Sequence, residues 1–131
     1  MKMNRKIMTG MLAVGLLTTG VLGVQAEEEA RGINITVPGL NGTNTAGKQT
    51  KVISDMDGYL NIYEISGDNK MDGRAETALH TSTGPWVRLS HDNKGYLLPN
   101  SIKKDAKITA RFSSDLTTYL PITVTGSFQG N

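Results

Sequence analysis

The sequence predicts an all-β protein, a small antiparallel sandwich or open barrel of about six or seven strands. Three observations carry this expectation. From Val52 onward apolar residues recur with a period of two, and Gly-, Asn- and Asp-rich clusters separate the alternating runs. No stretch after residue 26 sustains the 3.6-residue apolar period of a helix; Arg74 to His80 comes nearest, at one turn or two. A chain of 131 residues and 14.1 kDa holds one small domain at most.

The first 26 residues stand apart. Lys2, Arg5 and Lys6 make a basic start, and no charge follows until Glu27. Between them lies a run rich in Met, Leu and Val, closed by Val24-Gln25-Ala26. Small residues at the first and third of those positions suit the pockets of a signal peptidase. The run is about long enough for an uncleaved anchor, but Gly10, Gly15, Gly20 and Gly23 dilute it. The expectation is a signal peptide cleaved after Ala26, and a protein secreted to the medium or the cell envelope.

Cleavage changes the charge. Three of the fourteen basic residues and none of the twelve acidic ones precede Glu27, so the remainder has net charge −1. Leaving out Glu27, Glu28 and Glu29 as a loose tail, the chain from Arg31 is +2. Neither value calls for a nucleic-acid partner. The absence of cysteine excludes disulfides, thiolate metal sites and thiol catalysis.

Residues 27–51 are expected to be a weakly structured lead-in. Ile33-Asn34-Ile35-Thr36-Val37 is a possible short strand stopped by Pro38-Gly39, but the following twelve residues offer one large apolar side chain. Residues 52–131 then form the sandwich. In the run from Tyr59, Leu60 and Ile62 face one way; Tyr59, Asn61, Tyr63 and Ile65 face the other. Val87 and Leu89 oppose Trp86 and Arg88, and Lys107 to Phe112 alternates cleanly. Leu120 to Phe128 does likewise, with Pro121 suggesting an edge or a strand start. Asp55–Gly58 and His91–Gly95 are expected to close hairpins.

Site chemistry is sparse. Asp68 to Gly73 begins like a calcium loop, but Lys70 stands at the third ligand position and Leu79 at the twelfth. His80 and His91 lack zinc-ligand spacing, and neither a nucleophile elbow nor a phosphate-binding glycine loop is present. The sequence therefore assigns no catalytic residue, metal ligand or cofactor. Its most suggestive feature is a face. Trp86, Arg88, Lys107 and Arg111 all point away from the apolar side of their strands, and one shared sheet would make them a cationic surface carrying an aromatic. The plainer reading keeps Lys and Arg for solubility and edge protection and buries Trp86 in the core. The sequence favours it, since exposed charge is ordinary and buried Trp is common.

The segments "GRAETALHTSTGPWVRLSHDNKG" and "ITARFSSDLTTYLPITVTGSF" resemble a family of small exported β-rich proteins of Gram-positive bacteria, often encoded beside ABC-transporter genes. The similar parts are Arg74…Thr77, Pro85-Trp86-x-Arg88 and the closing strand to Gly126-x-Phe128. The layout is more distantly similar to the lactococcin-type β-sandwich bacteriocins. The resemblance implies a signal peptide and a β-rich domain, and brings no catalytic residue. The functional expectation is a secreted, non-catalytic protein with a binding or accessory role at the envelope; the alternative is a bacteriocin-like antibacterial protein. Partners expected are the export machinery and signal peptidase, then an anionic envelope polymer or membrane surface.

Overall fold

The computed structural model describes residues 30–131; the expected signal peptide lies outside them. The described residues form eight strands: β1 (Arg31–Val37), β2 (Thr43–Thr50), β3 (Gly58–Ile65), β4 (Met71–Thr77), β5 (Val87–Leu89), β6 (Lys94–Leu98), β7 (Lys107–Ser114) and β8 (Ile122–Gln129). A single 3-10 turn, Ser66–Asp68, joins β3 to β4. The strands build two four-stranded antiparallel sheets, ordered β1-β8-β3-β6 and β2-β7-β4-β5. The protein is an all-β sandwich.

Period-two patterning makes the core. Leu60 and Ile62 from β3 and Ile122, Val124 and Phe128 from β8 meet Ile108, Ala110 and Phe112 from β7 between the sheets. Ile65 departs from the expected alternation. The pairing of β3 with β8 shifts register between Ile62 and Glu64, so Tyr63 and Glu64 both stay exposed and Ile65 returns to the core. A bulge of this kind inverts every later side chain of its strand.

The lead-in expected to be loose supplies two strands. β1 pairs with β8 from Arg31↔Phe128 to Val37↔Ile122, and β2 pairs with β7 from Thr43↔Ser113 to Thr50↔Lys107. Backbone pairing and side-chain amides, rather than apolar burial, hold β2. Gln49 donates to the Phe128 carbonyl (2.9 Å) and accepts from the Gly130 amide (2.7 Å). Gly47, at φ 75°, lies against the Phe128 side chain, where an added Cβ would approach Phe128 Cβ to 3.1 Å.

The two expected hairpins also fail to form. Asp55–Gly58 and His91–Gly95 each carry the chain from one sheet to the other, because β2 and β5 lie in the second sheet and β3 and β6 in the first. The left-handed residues of these reversals are Asp55 (φ 66°) and Asn93 (φ 52°), while Gly58 and Gly95 already lie in β3 and β6, and the apolar faces on either side belong to opposite layers. β4 to β5 is the one connection that stays within a sheet. Pro121 immediately precedes β8, a central strand, so it marks a strand start rather than an edge.

Phe128 is fully buried and packs beside Gly47 and Gly58. Phe128→Ala is therefore expected to cost about 3–5 kcal/mol, a fall in Tm on the order of 15 °C for a domain of this size. Thermal unfolding followed by circular dichroism checks it.

Candidate functional site

The outer face of the β2-β7-β4-β5 sheet brings the sequence-predicted residues together. Strand β4 lies between β5 and β7, so Trp86 and Arg88 are separated from Lys107 and Arg111 by one strand. One cross-strand row is Arg88, Asp72, Ser113 and Thr43; the next is Trp86, Arg74, Arg111 and Thr45. Lys107 stands further along β7, opposite Thr50, and donates to its hydroxyl (2.5 Å). Trp86 is 43% exposed, so it belongs to the surface and not to the core. The Arg74 guanidinium lies 4.2 Å from its ring centroid, within cation–π range.

Arg74 and Arg111 sit directly opposite each other, a pairing that like charges disfavour. Glu76 resolves it. Although β4 points this side chain outward, the carboxylate is fully buried. Arg74 Nε donates to Oε1 (3.2 Å), and Arg111 Nε (2.7 Å) and His80 Nδ1 (2.5 Å) donate to Oε2. Burial alone would raise the pKa of Glu76, but the hydrogen bonds from Arg111 and His80 outweigh it and hold the carboxyl below its ordinary value.

The loop between β4 and β5 provides the cover. Gly84 N donates to the Ala75 carbonyl (2.8 Å), and Thr77 Oγ1 accepts from the amides of Thr81 (2.8 Å) and Ser82 (3.0 Å). His80, at φ 60°, turns back over Glu76. At the other end of the face, Arg88 grips Asp115 with two bonds of 2.7 Å and reaches Asp72 at 3.4 Å. The Arg88 hydrogen bonds hold the Asp115 carboxyl below the ordinary range.

The face thus pairs three of its basic side chains, Arg74, Arg88 and Arg111, with the carboxylates of Asp72, Glu76 and Asp115, while Lys107 bonds the Thr50 hydroxyl. It is less cationic than alternation alone suggests. Sequence reasoning missed Arg74 and Glu76 as members of it. Their signal is the alternation Asp72-x-Arg74-x-Glu76, which overlaps the run Arg74 to His80 that comes nearest to a helical period. His91 is remote from this cluster, bonded to Ser90 Oγ (2.9 Å) in the β5–β6 connection. Among the described residues, no three His, Asp or Glu side chains gather as a metal site would require.

No family model matches the chain, and no curated protein matches it. Among solved structures, the chain is similar to the CBM36-1 domain of a multidomain xylanase from the hindgut metagenome of Trinervitermes trinervoides. The two are 12% identical, with a TM-score of 0.49 over 79% of this chain and 86% of that one. At that level nothing about ligands carries over, and the fold assignment rests on the strand pairing above.

A depressed carboxyl pKa stabilises the fold above the unfolded value, near 4.5 for Glu76, and that contribution is lost as pH falls through the folded value. Glu76→Gln should cost about 1–3 kcal/mol at pH 7 and should flatten the loss of stability on acidification, leaving the part that Asp115 contributes. Urea midpoints at pH 7 and pH 3.5 test this; parallel pH profiles for the two proteins would contradict it.

Proposed function

We propose that the chain is exported, that residues 1–26 are removed, and that the remaining domain is a non-catalytic binding protein of the cell envelope. Its ligand in this reading is a phosphate- or carboxylate-rich envelope polymer lying across the outer face of the β2-β7-β4-β5 sheet. One observation carries the reading: a half-exposed tryptophan, backed by Arg74, shares one outer face with Arg88, Arg111 and Lys107. The carboxylates of Glu76, Asp72 and Asp115 fix the guanidinium planes before any ligand arrives, which lowers the ordering entropy of binding. Trp86 adds a short-range contact indifferent to salt.

Two measurements test the proposal. N-terminal sequencing of protein from culture supernatant should begin at Glu27; membrane-held protein with Met1 intact would overturn export. Retention on purified cell walls should fall for Lys107→Glu mainly at low salt, because the Debye length shrinks from ~10 Å at 0.1 M to ~3 Å at 1 M. Trp86→Ala should weaken retention at every salt concentration with little change in Tm. Lys107 is the cleaner electrostatic probe, since Arg111 also neutralises buried Glu76. Unchanged retention in both variants would end the reading, and killing of neighbouring bacteria by the purified domain would favour the antibacterial alternative.

A further inference from the structure

We propose that the β1–β2 and β7–β8 connections, residues 38–42 and 115–121, form an apolar wedge that enters the interfacial layer of a lipid bilayer. Leu40, Leu116, Tyr119 and Leu120 are 56%, 72%, 78% and 76% exposed. All four belong to these two connections, which meet at one end of the sandwich. Leu40 N donates to the Thr118 carbonyl (2.5 Å), Asn41 N to the Asp115 carbonyl (3.1 Å) and Ser114 Oγ to the Pro38 carbonyl (2.6 Å). Gly39 lies so close that an added Cβ would stand 2.6 Å from the Thr118 carbonyl oxygen. The wedge is formed in advance.

Part of its backbone is already paired internally. Beyond Leu40 and Asn41, the Gly42 amide donates to the Gly39 carbonyl and the Thr118 amide to the Asp115 carbonyl, each at 3.1 Å. Unpaired peptide groups are the main cost of carrying a loop into lipid, and these donors are already paired. Residues 38–42 and 116–121 contain no charged side chain. The carboxylate at the base, Asp115, is held by Arg88 and feels the positive charge of Lys70. Leucine with tyrosine is also an interfacial composition, the ring sitting among acyl chains and the hydroxyl among headgroups.

Leu40 adds a separate observation. Its φ of 56° is left-handed, where a bulky side chain is strained and Gly or Asn fits more easily. A strained bulky residue that stays more than half exposed gains little from folding alone. A lipid surface suits the wedge better than a protein partner. A stable protein interface uses ~20–30 residues a side, well beyond two short connections, whereas insertion into a bilayer scales with apolar area and needs no matching shape. The wedge adjoins the Trp86 face through the Arg88–Asp115 pair, but its four apolar side chains lie outside that face.

Flotation with vesicles of phosphatidylcholine alone, and of phosphatidylcholine with a quarter phosphatidylglycerol, tests the proposal on the chain from Glu27, which carries all eight strands. The double substitution Leu116→Ser/Leu120→Ser should lower partitioning roughly tenfold with unchanged Tm, and the wild-type protein should stay bound at 1 M salt. Leu40→Asn should also lower partitioning while Tm holds or rises, an effect that misfolding cannot imitate. Trp86→Ala should partition like wild type, which separates this proposal from the polymer-binding face. Equal flotation of wild type and double variant would overturn it. So would a wild-type dimer in light scattering that the double variant dissolves, since the wedge would then pair two copies of the chain.

Discussion

A charge taken out of water must be matched where it lies, and two such charges, Glu76 and Lys51, set the arrangement around them. Glu76 draws Arg74 and Arg111 onto one carboxylate and folds the β4–β5 loop back through His80. The position of Arg74 in turn fixes what lies against Trp86. Lys51 does the equivalent work at the end of β2. Its ammonium, fully buried, donates to the carbonyls of Met56 and Gly130. Burial lowers its pKa, while Asp55 and Asp57 pull the other way. Buried ionic groups seldom add much net stability, but removing one partner is costly. Their effect here is to fix register: Lys51 and Gln49 tie the second sheet to the chain leaving β8 in the first.

The same sandwich presents three unlike surfaces. The face bearing Trp86 is charged and paired. The opposite face, outside β1-β8-β3-β6, is almost uncharged, with Thr123, Thr125, Ser127 and Asn61 beside Tyr59 and Tyr63, and Glu64 as its carboxylate. Tyr59 reaches across Gly95, where an added Cβ would stand 2.1 Å from its hydroxyl. The third surface is the apolar end formed by Leu40, Leu116, Tyr119 and Leu120. A net charge of +2 from Arg31 onward therefore says little about how the molecule meets a partner.

Much of the fold was legible in alternation, because a half-buried strand writes its two faces into successive residues. The outward set on β5 and β7 was readable for that reason, and both strands do share a sheet. What alternation cannot carry is pairing over distance. Strand β2 was unreadable because Gln49 and Gly47 answer to Phe128 and Gly130, some eighty residues away. Ile65 was misplaced because a bulge depends on its partner strand as well as its own. Trp86 was weighed by the general habit of its residue type, and no local signal shows that Arg74 would stand over its ring. Burial of Glu76 requires a loop to close over it, which spacing along β4 does not reveal.

Topology also fixes how the surfaces stand relative to one another. Six of the seven connections cross between the sheets, so the core forms through contacts distant in sequence, a slow and cooperative route. Each strand runs from one end of the sandwich to the other, so alternate connections lie at opposite ends. Strand β7 ends at Ser114 beside the apolar wedge and begins at Lys107, next to the loop that covers Glu76. Seven steps of antiparallel strand span roughly 24 Å. With the wedge in a bilayer, the row of Arg88 and Asp72 lies near the headgroups, the row of Trp86 and Arg74 two residues further out, and Lys107 furthest away. A polymer leaving an anionic membrane would then run along the face from Arg88 toward Lys107. The two proposals need different surfaces, and the strand direction makes them compatible in one molecule.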